Sequence, residues 1–526
     1  MRDFSNQLIS CRNKVASPYS SSSVVRYPAK MDRFDGVALR DVQLSDDVGV
    51  AVDAAGDVIQ WGIGFDQLHP EPRKTIIGLD LLRVQICSSK IYALSRSGHV
   101  YVFAAEHEKQ LRKEAASTSP SSSTPLSWFS SPYEYVKLKA GEKFADIAAG
   151  EHHVLALSRA GYVYSVPVDE HANEYGQLGY SRVALAHQCE PTKLVDARLE
   201  PEVIRKARRS DTVGSSSHVS SDAIASSDIR YATQLRPVPS LEGICFAQIA
   251  AGTHHSVVRT PDGRVLTWGH NANGQLGLGA HVTFNTVAVP SEVSWPVSIV
   301  GRHAVCTRIA AGGSNTFFVV RSRDAPIHPD DKGSKPSVRI DVLAVGGGQR
   351  GTLGSGQRSQ ACGVPMRVKN LSGLYEYSER EKCLSPIDVH SLSVGSSGQC
   401  ALVMEAPSLD QAETRRDVYV WGNNDSSQLG SGGKGHTAVP ALMMHMPSST
   451  KTTGLTGKST KTESEGTETE EETPPEPEDL PQRLLLVERS NVRGRAWDGK
   501  ERTFSNAEQQ IVAGGASMTI FTKVQA

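Results

Sequence analysis

The 526-residue sequence predicts an all-β fold, a seven-bladed β-propeller of four-stranded blades with long disordered insertions between strands. Three observations carry this. One pattern recurs from near residue 45 to the C-terminus, and each copy offers four short β-rich runs, the signature of a propeller blade. The chain holds 46 glycines, which supply the positive φ angles of tight turns. Dipeptides of Trp-Gly and corners of Gly-Gln-Leu-Gly recur at fixed places within the units. Length alone would suggest three or four domains of about 150 residues each. The repeat collapses them into a single ring spanning 31–526.

In chain order, residues 1–30 read as a disordered basic segment. Arg2, Arg12, Lys14, Arg26 and Lys30 face only Asp3, and a serine run spans Ser20 to Ser23, which suits either the remnant of a transit peptide or an ordinary basic tail. The first half of each unit then reads Ile-Ala-Ala-Gly before an aliphatic strand. It ends at Gly150, Gly252 and Gly312, and in weaker form at Gly395 and Gly514; degenerate copies begin at Ser45 and Cys87. The second half runs from Asp262-Gly263 through a strand to Trp268-Gly269 and the corner ending at Gly277. It recurs at Trp421-Gly422 with Gly430, at Gly346 with Gly354, at Trp61-Gly62 and at Gly176 to Gly179.

A four-stranded sheet cannot bury both faces alone, so blades stack and each covers its neighbour. Trp268 and Trp421 are expected to wedge between blades. Starts near 45, 87, 150, 252, 312, 395 and 514 count seven units. The last stops after two strands and no Trp-Gly strand precedes Gly36, so either the seventh blade is thin or the true N-terminus lies upstream; the second reading is favoured, with the sequence short of the strand that closes the ring.

Four insertions interrupt the units, at about 104–135, 199–236, 322–338 and 447–480. Their charged, Ser/Thr-rich or Pro-rich composition reads as loop. A charged stretch at the start of the first could be helical. The last carries an acidic tract from Glu463 to Asp479, read as tolerated disorder or as a tether for a basic partner.

The formal charge of −1, from 56 basic and 57 acidic residues, removes any bulk electrostatic reason to bind nucleic acid. No stretch reaches the roughly 18 apolar residues of a membrane span, so membrane contact would be peripheral. Eight scattered cysteines form no C-x-x-C pair and read as reduced, mostly buried thiols. The pairs His152-His153 and His254-His255 invite a zinc reading. Their register matches Asn315, Gly398 and Ser517 in other copies, so His153 and His255 read as blade positions that hydrogen-bond within the structure, with no carboxylate or cysteine cluster beside them. Gly346 to Gly351 resembles a nucleotide loop but aligns with Gly269 to Gly274, a repeat turn. Gly457-Lys458-Ser459 lacks the strand a phosphate loop requires. No catalytic, cofactor or metal residue is assigned.

The Ala-Ala-Gly-x-His-His start, the Asp-Gly-x-Val-x-x-Trp-Gly middle and the Asn-x-x-Gly-Gln-Leu-Gly end resemble the regulator-of-chromosome-condensation repeat family, most specifically over 249–279. Phe34 to Asp41, Gly49 to Gly64, Ala93 to Gly98 and Ser127 to Pro132 are most similar to its fungal mitochondrial members. The resemblance implies a seven-bladed propeller acting without catalysis, a monomer at the mitochondrial inner membrane or matrix that binds respiratory-chain assembly components and assists assembly of complex III. Likeness to the nuclear founder implies the alternative, a guanine-nucleotide exchange factor for a small GTPase in nucleus or cytoplasm.

Overall fold

The computed structural model describes residues 9–10, 26–111, 132–211, 223–300, 303–323, 338–378, 382–405, 414–445, 482–489, 492–495, 497–504 and 506–525. Its elements are almost all strands. The α-helices among the described residues are His107–Gln110, Glu202–Asp211 and Val297–Val300, beside the 3-10 turns Asp32–Phe34 and Pro239–Leu241, and no helix is long and apolar enough to cross a membrane.

Each unit folds as an antiparallel meander. The unit with the strongest motif runs Gln248–Ala251, His255–Arg259, Val265–His270 and Thr286–Glu292, one separate four-stranded sheet. Three more separate four-stranded sheets start from Leu81–Cys87, Phe144–Ala149 and His303–Gly312. The strands starting at Leu39–Leu44, Val389–Val394 and Ala507–Ala513 belong to a larger sheet, joined where Leu485–Arg489 pairs with both Thr414–Gly422 and Ala507–Ala513.

The second strand of a unit is the most apolar because both of its faces are covered. Lys90–Ser95, His153–Ser158 and Gln399–Met404 are buried at every residue. The first strands obey a different rule. Leu39–Leu44, Leu81–Cys87, Phe144–Ala149 and Val389–Val394 each carry a register shift near their start, and the residues just past it are Asp41, Arg83, Asp146 and Ser391. A bulge re-aims the side chain that follows it. All four of these residues line one central channel of about 830 Å³, to which seven first strands contribute.

The signature glycines make that convergence sterically feasible. A Cβ on Gly150 would lie 2.5 Å from the Gly252 carbonyl oxygen, one on Gly312 would lie 2.3 Å from that of Val394, one on Gly395 would lie 2.5 Å from that of Gly514, and one on Gly514 would lie 2.4 Å from that of Leu44. Each of these contacts is to another repeat. The glycine after the tryptophan has a second reason. Gly269 sits at φ +111°, where a Cβ would come 2.6 Å from the His254 carbonyl oxygen; Gly62, Gly346 and Gly422 repeat the geometry. Gly277 and Gly430 close the Gly-Gln-Leu-Gly corners with positive φ.

Trp268 is fully buried in one apolar cluster with Leu155 and Leu157 of the preceding unit, and Trp421 packs with Phe317 likewise. Both wedge between units.

Three expectations change. Ile9–Ser10 pairs with Met518–Val524 through Ile9↔Ile520, and Ala29–Lys30 pairs with Ile9–Ser10, so strands from within residues 1–30 extend the last unit. Two-residue strands carry no periodicity, which is why the sequence hides them. The 199–236 insertion is structured at both ends: its basic start is the helix Glu202–Asp211, and Tyr231, Ala232 and Leu235 are buried in a core cluster. The charged stretch of the first insertion, which the sequence allowed to be helical, holds the helix His107–Gln110 within its described part. Residues 112–131, 212–222, 324–337 and 446–481, which include most of the predicted insertions and the acidic tract, lie outside the described residues. Among the described residues every cysteine is free; Cys87, Cys306 and Cys400 are buried, whereas Cys189 and Cys245 are exposed, fewer buried than the sequence suggested.

The indole Nε1–H of Trp268 donates to the Gln177 carbonyl at 2.9 Å and that of Trp421 to the Thr352 carbonyl at 2.7 Å, whereas that of Trp61 is buried without a partner. Trp268→Ala therefore lowers unfolding free energy by about 3–5 kcal/mol. Replacement by Phe separates the hydrogen bond from the packing: Trp268→Phe and Trp421→Phe cost about 1 kcal/mol more than Trp61→Phe in denaturant titrations.

Candidate functional site

Two histidines occupy the same place in adjacent units. His153 and His255 begin second strands, and their rings lie against Gly150 and Gly252, where a Cβ would approach His255 Cε1 to 2.0 Å. Each Nε2–H donates to a hydroxyl of the following unit: His153 to Ser256 at 2.9 Å, His255 to Thr316 at 2.8 Å. Those hydroxyls in turn donate to corner carbonyls, Ser256 to Gln177 at 2.9 Å and Thr316 to Gln275 at 2.7 Å. Burial pushes both imidazoles down to a pKa of about 3, so they are neutral, with the proton on Nε2.

The register of the other copies needs one correction. Gln399, not Gly398, pairs with Gly422 as His255 pairs with Gly269, because the turn after Gly395 holds one more residue. Its Nε2 donates to the carbonyls of Gly514 at 3.1 Å and Ser517 at 3.2 Å, tying two units. Lys90 takes the equivalent place in the second unit, opposite Cys87. It is almost wholly buried, donates to the Val168 and Ser226 carbonyls at 2.7 and 2.9 Å, and is pushed down to a pKa of about 8 by burial. The degenerate upstream motif gave no sign of it.

The first histidine of each pair does something else. His152 and His254 stand on the turns before those strands, half-buried, with rings stacked at 5.4 Å and 8°. Glu151 is held between them, 3.8 Å from His152 Nε2 and 3.7 Å from His254 Nε2. His152 Nδ1–H donates to Asp169 at 2.7 Å. The two turns are clamped by the Glu151 N–H on the Thr253 carbonyl at 3.0 Å. Tyr175 packs on His254 and His270 at 5.2 and 4.2 Å. The absence of a carboxylate inferred from the sequence is therefore wrong: Glu151 directly precedes His152, and the fold supplies Asp169. Two imidazoles and a carboxylate whose ligand atoms all lie within 4.8 Å could hold a metal ion.

Two further charged clusters complete the survey. In the channel, Arg83 pairs with Asp146, and Asp41 accepts the Val84 N–H at 2.9 Å while burial raises its carboxyl above the usual range. At the seam between the last two units, the buried Arg416 binds Glu405, Glu488 and Glu508 at 3.0, 2.7 and 3.3 Å. His390 bridges Glu405 and Glu508. One guanidinium faces three carboxylates there, and a protonated His390 restores part of the balance.

Models of the regulator of chromosome condensation (RCC1) repeat match residues 262–319 and 417–454, and a second form of it matches 246–275. The chain is 24% identical to Protein FMP25, mitochondrial, of Saccharomyces cerevisiae over 443 residues, 80% of this chain and 63% of that protein. It is 30% identical to the RCC1 domain-containing protein RUG3, mitochondrial, of Arabidopsis thaliana, over 32% of this chain and 31% of that protein. It thus spans less than two thirds of either relative. Among solved structures, that of Prp20p from Saccharomyces cerevisiae, described with its binding properties to Gsp1p and histones, matches with a TM-score of 0.53 at 14% identity, covering 100% of this chain and 93% of that one. That of human WBSCR16 matches with a TM-score of 0.55 at 14% identity, covering 99% and 100%.

The seam cluster sets a pH dependence. The hydrogen bond with Glu508 raises the His390 pKa above its ordinary 6.5, so its stabilising contribution is complete below that value and is lost as pH rises through the elevated native one. In urea titrations from pH 5.5 to 8.5, the stability gap between wild type and His390→Gln is expected to be widest at the acid end and to close towards the alkaline end.

Proposed function

Since this chain belongs to the regulator of chromosome condensation repeat family, we propose that it is a non-enzymatic scaffold, a seven-bladed propeller that binds proteins in the mitochondrion and assists assembly of respiratory complex III. The observation that carries this reading is the 443-residue similarity to mitochondrial FMP25. The similarity to mitochondrial RUG3 supports the same compartment. Seven first strands around one channel support the blade count, and the strands Ile9–Ser10 and Ala29–Lys30 support a last blade completed by the N-terminal part of the chain.

The scaffold reading also fits the chemistry of the interior. Much of the channel lining is small residues such as Ala148, Ala149, Gly150 and Ala250, and Arg83 pairs with Asp146 across two of its strands. Binding surfaces would then be the loops that the rigid strands display at either end. Protein partners in this reading are assembly components of the respiratory chain, and neither a cofactor nor nucleic acid is required.

A C-terminally tagged chain in its native host should co-fractionate with mitochondrial markers. Deleting its gene should lower assembled cytochrome bc1 several-fold on native gels, with other respiratory complexes less affected. A nuclear location, or unchanged bc1 after deletion, contradicts the proposal. Acceleration of nucleotide release from a small GTPase by micromolar protein would favour exchange activity instead; the likeness to Prp20p, at 14% identity, is one of fold alone.

A further inference from the structure

We propose that Glu151, His152 and His254 bind a divalent transition-metal ion of the Zn²⁺ class, with one coordination position open to solvent. The spacing is the first argument. Glu151 lies 3.8 and 3.7 Å from the two Nε2 atoms, too far for hydrogen bonds, which end near 3.2 Å. Ligand atoms held about 2.0–2.1 Å from a tetrahedral zinc stand roughly 3.4 Å apart, so drawing the three in from within 4.8 Å of one another brings them onto one ion.

Orientation is the second argument. Asp169 accepts the Nδ1–H of His152 at 2.7 Å, which turns Nε2 of the same ring towards the Glu151 carboxylate. A carboxylate behind a histidine is the arrangement that orients imidazole ligands in zinc sites.

Rigidity is the third. The Glu151 N–H to Thr253 carbonyl bond ties the two turns at 3.0 Å, the Val168 N–H binds the His152 carbonyl at 2.9 Å, and the His270 N–H binds the His254 carbonyl at 2.9 Å. The ligands are thus set by strand pairing rather than by free loops. Two imidazoles and one carboxylate suit Zn²⁺, Cu²⁺ or Ni²⁺ and disfavour Mg²⁺ and Ca²⁺, which take oxygen ligands. Glu151 is half-exposed, which leaves room for water at the fourth position. The site joins two units at one end of their strands and stands independently of the mitochondrial reading.

The test uses the full chain without a polyhistidine tag, stripped with chelator and titrated calorimetrically with Zn²⁺, and by absorption with Co²⁺. One equivalent should bind with micromolar or tighter affinity, and Mg²⁺ should not compete. His152→Ala with His254→Ala should abolish binding. Asp169→Asn should weaken it about 10–100-fold. Glu151→Gln, at a half-exposed side chain, should weaken it at least about tenfold and serves if the double variant fails to fold. His303→Ala, at the far end of the strand His303–Gly312, should bind as wild type does. Failure of the wild-type chain to take up stoichiometric Zn²⁺, or uptake undiminished by Glu151→Gln and by a folded double variant, overturns the proposal and assigns the cluster to proton sharing alone.

Discussion

One backbone carbonyl per joint carries much of this architecture. The Gln177 carbonyl, at the corner of one unit, accepts both the Trp268 indole and the Ser256 hydroxyl of the next, and Ser256 is itself bound by His153 from the first unit. The Gln275 carbonyl takes Thr316, bound by His255, and the Thr352 carbonyl takes Trp421. Such groups are buried between sheets, where an unmet donor or acceptor costs about 1–3 kcal/mol. Corner, tryptophan and histidine therefore constrain one another. A repeat that lost its corner geometry would orphan polar groups on its neighbour as well as on itself.

The corner is built to present that carbonyl. Asn173, Asn271 and Asn424 accept the leucine N–H of their corners through Oδ1, at 3.1, 3.2 and 2.9 Å. The glutamine Oε1 accepts a second N–H from within the same turn, at 2.9 Å in the corners of Gln177 and Gln275 and 2.8 Å in that of Gln428. Asn-x-x-Gly-Gln-Leu-Gly is thus a turn whose side chains meet its own donors, leaving the glutamine carbonyl free for the next unit. Where the motif decays, other chemistry takes the joint. Lys90 binds two carbonyls, Gln399 ties Gly514 and Ser517, and the Cys87 thiol reaches the Gly150 carbonyl at 3.0 Å.

This explains what the sequence could and could not disclose. Glycines such as Gly252, Gly269 and Gly312, and the tryptophans, were legible because their constraints are local and steric and so recur at fixed spacing. Lys90 and Gln399 were not, since a hydrogen-bonding role can be met by unrelated side chains, and an added turn residue displaced the register at Gly398. The assembly of Glu151, His152, His254 and Asp169 was invisible for another reason: about a hundred residues separate its two turns, and only the stacking of adjacent units brings them together. The short strand Ile9–Ser10 was hidden by its length, and the buried Tyr231 by the serine-rich run before it.

The central claim is that adjacent units are coupled through this relay and not merely packed. A double-mutant cycle on His153→Phe and Ser256→Ala, read as unfolding free energy, tests it most directly. Removing Ser256 alone orphans the buried His153 Nε2–H, while removing both leaves nothing unpaired, so the double variant should be more stable than the sum of the singles by about 1 kcal/mol. Additivity within about 0.3 kcal/mol would contradict the account.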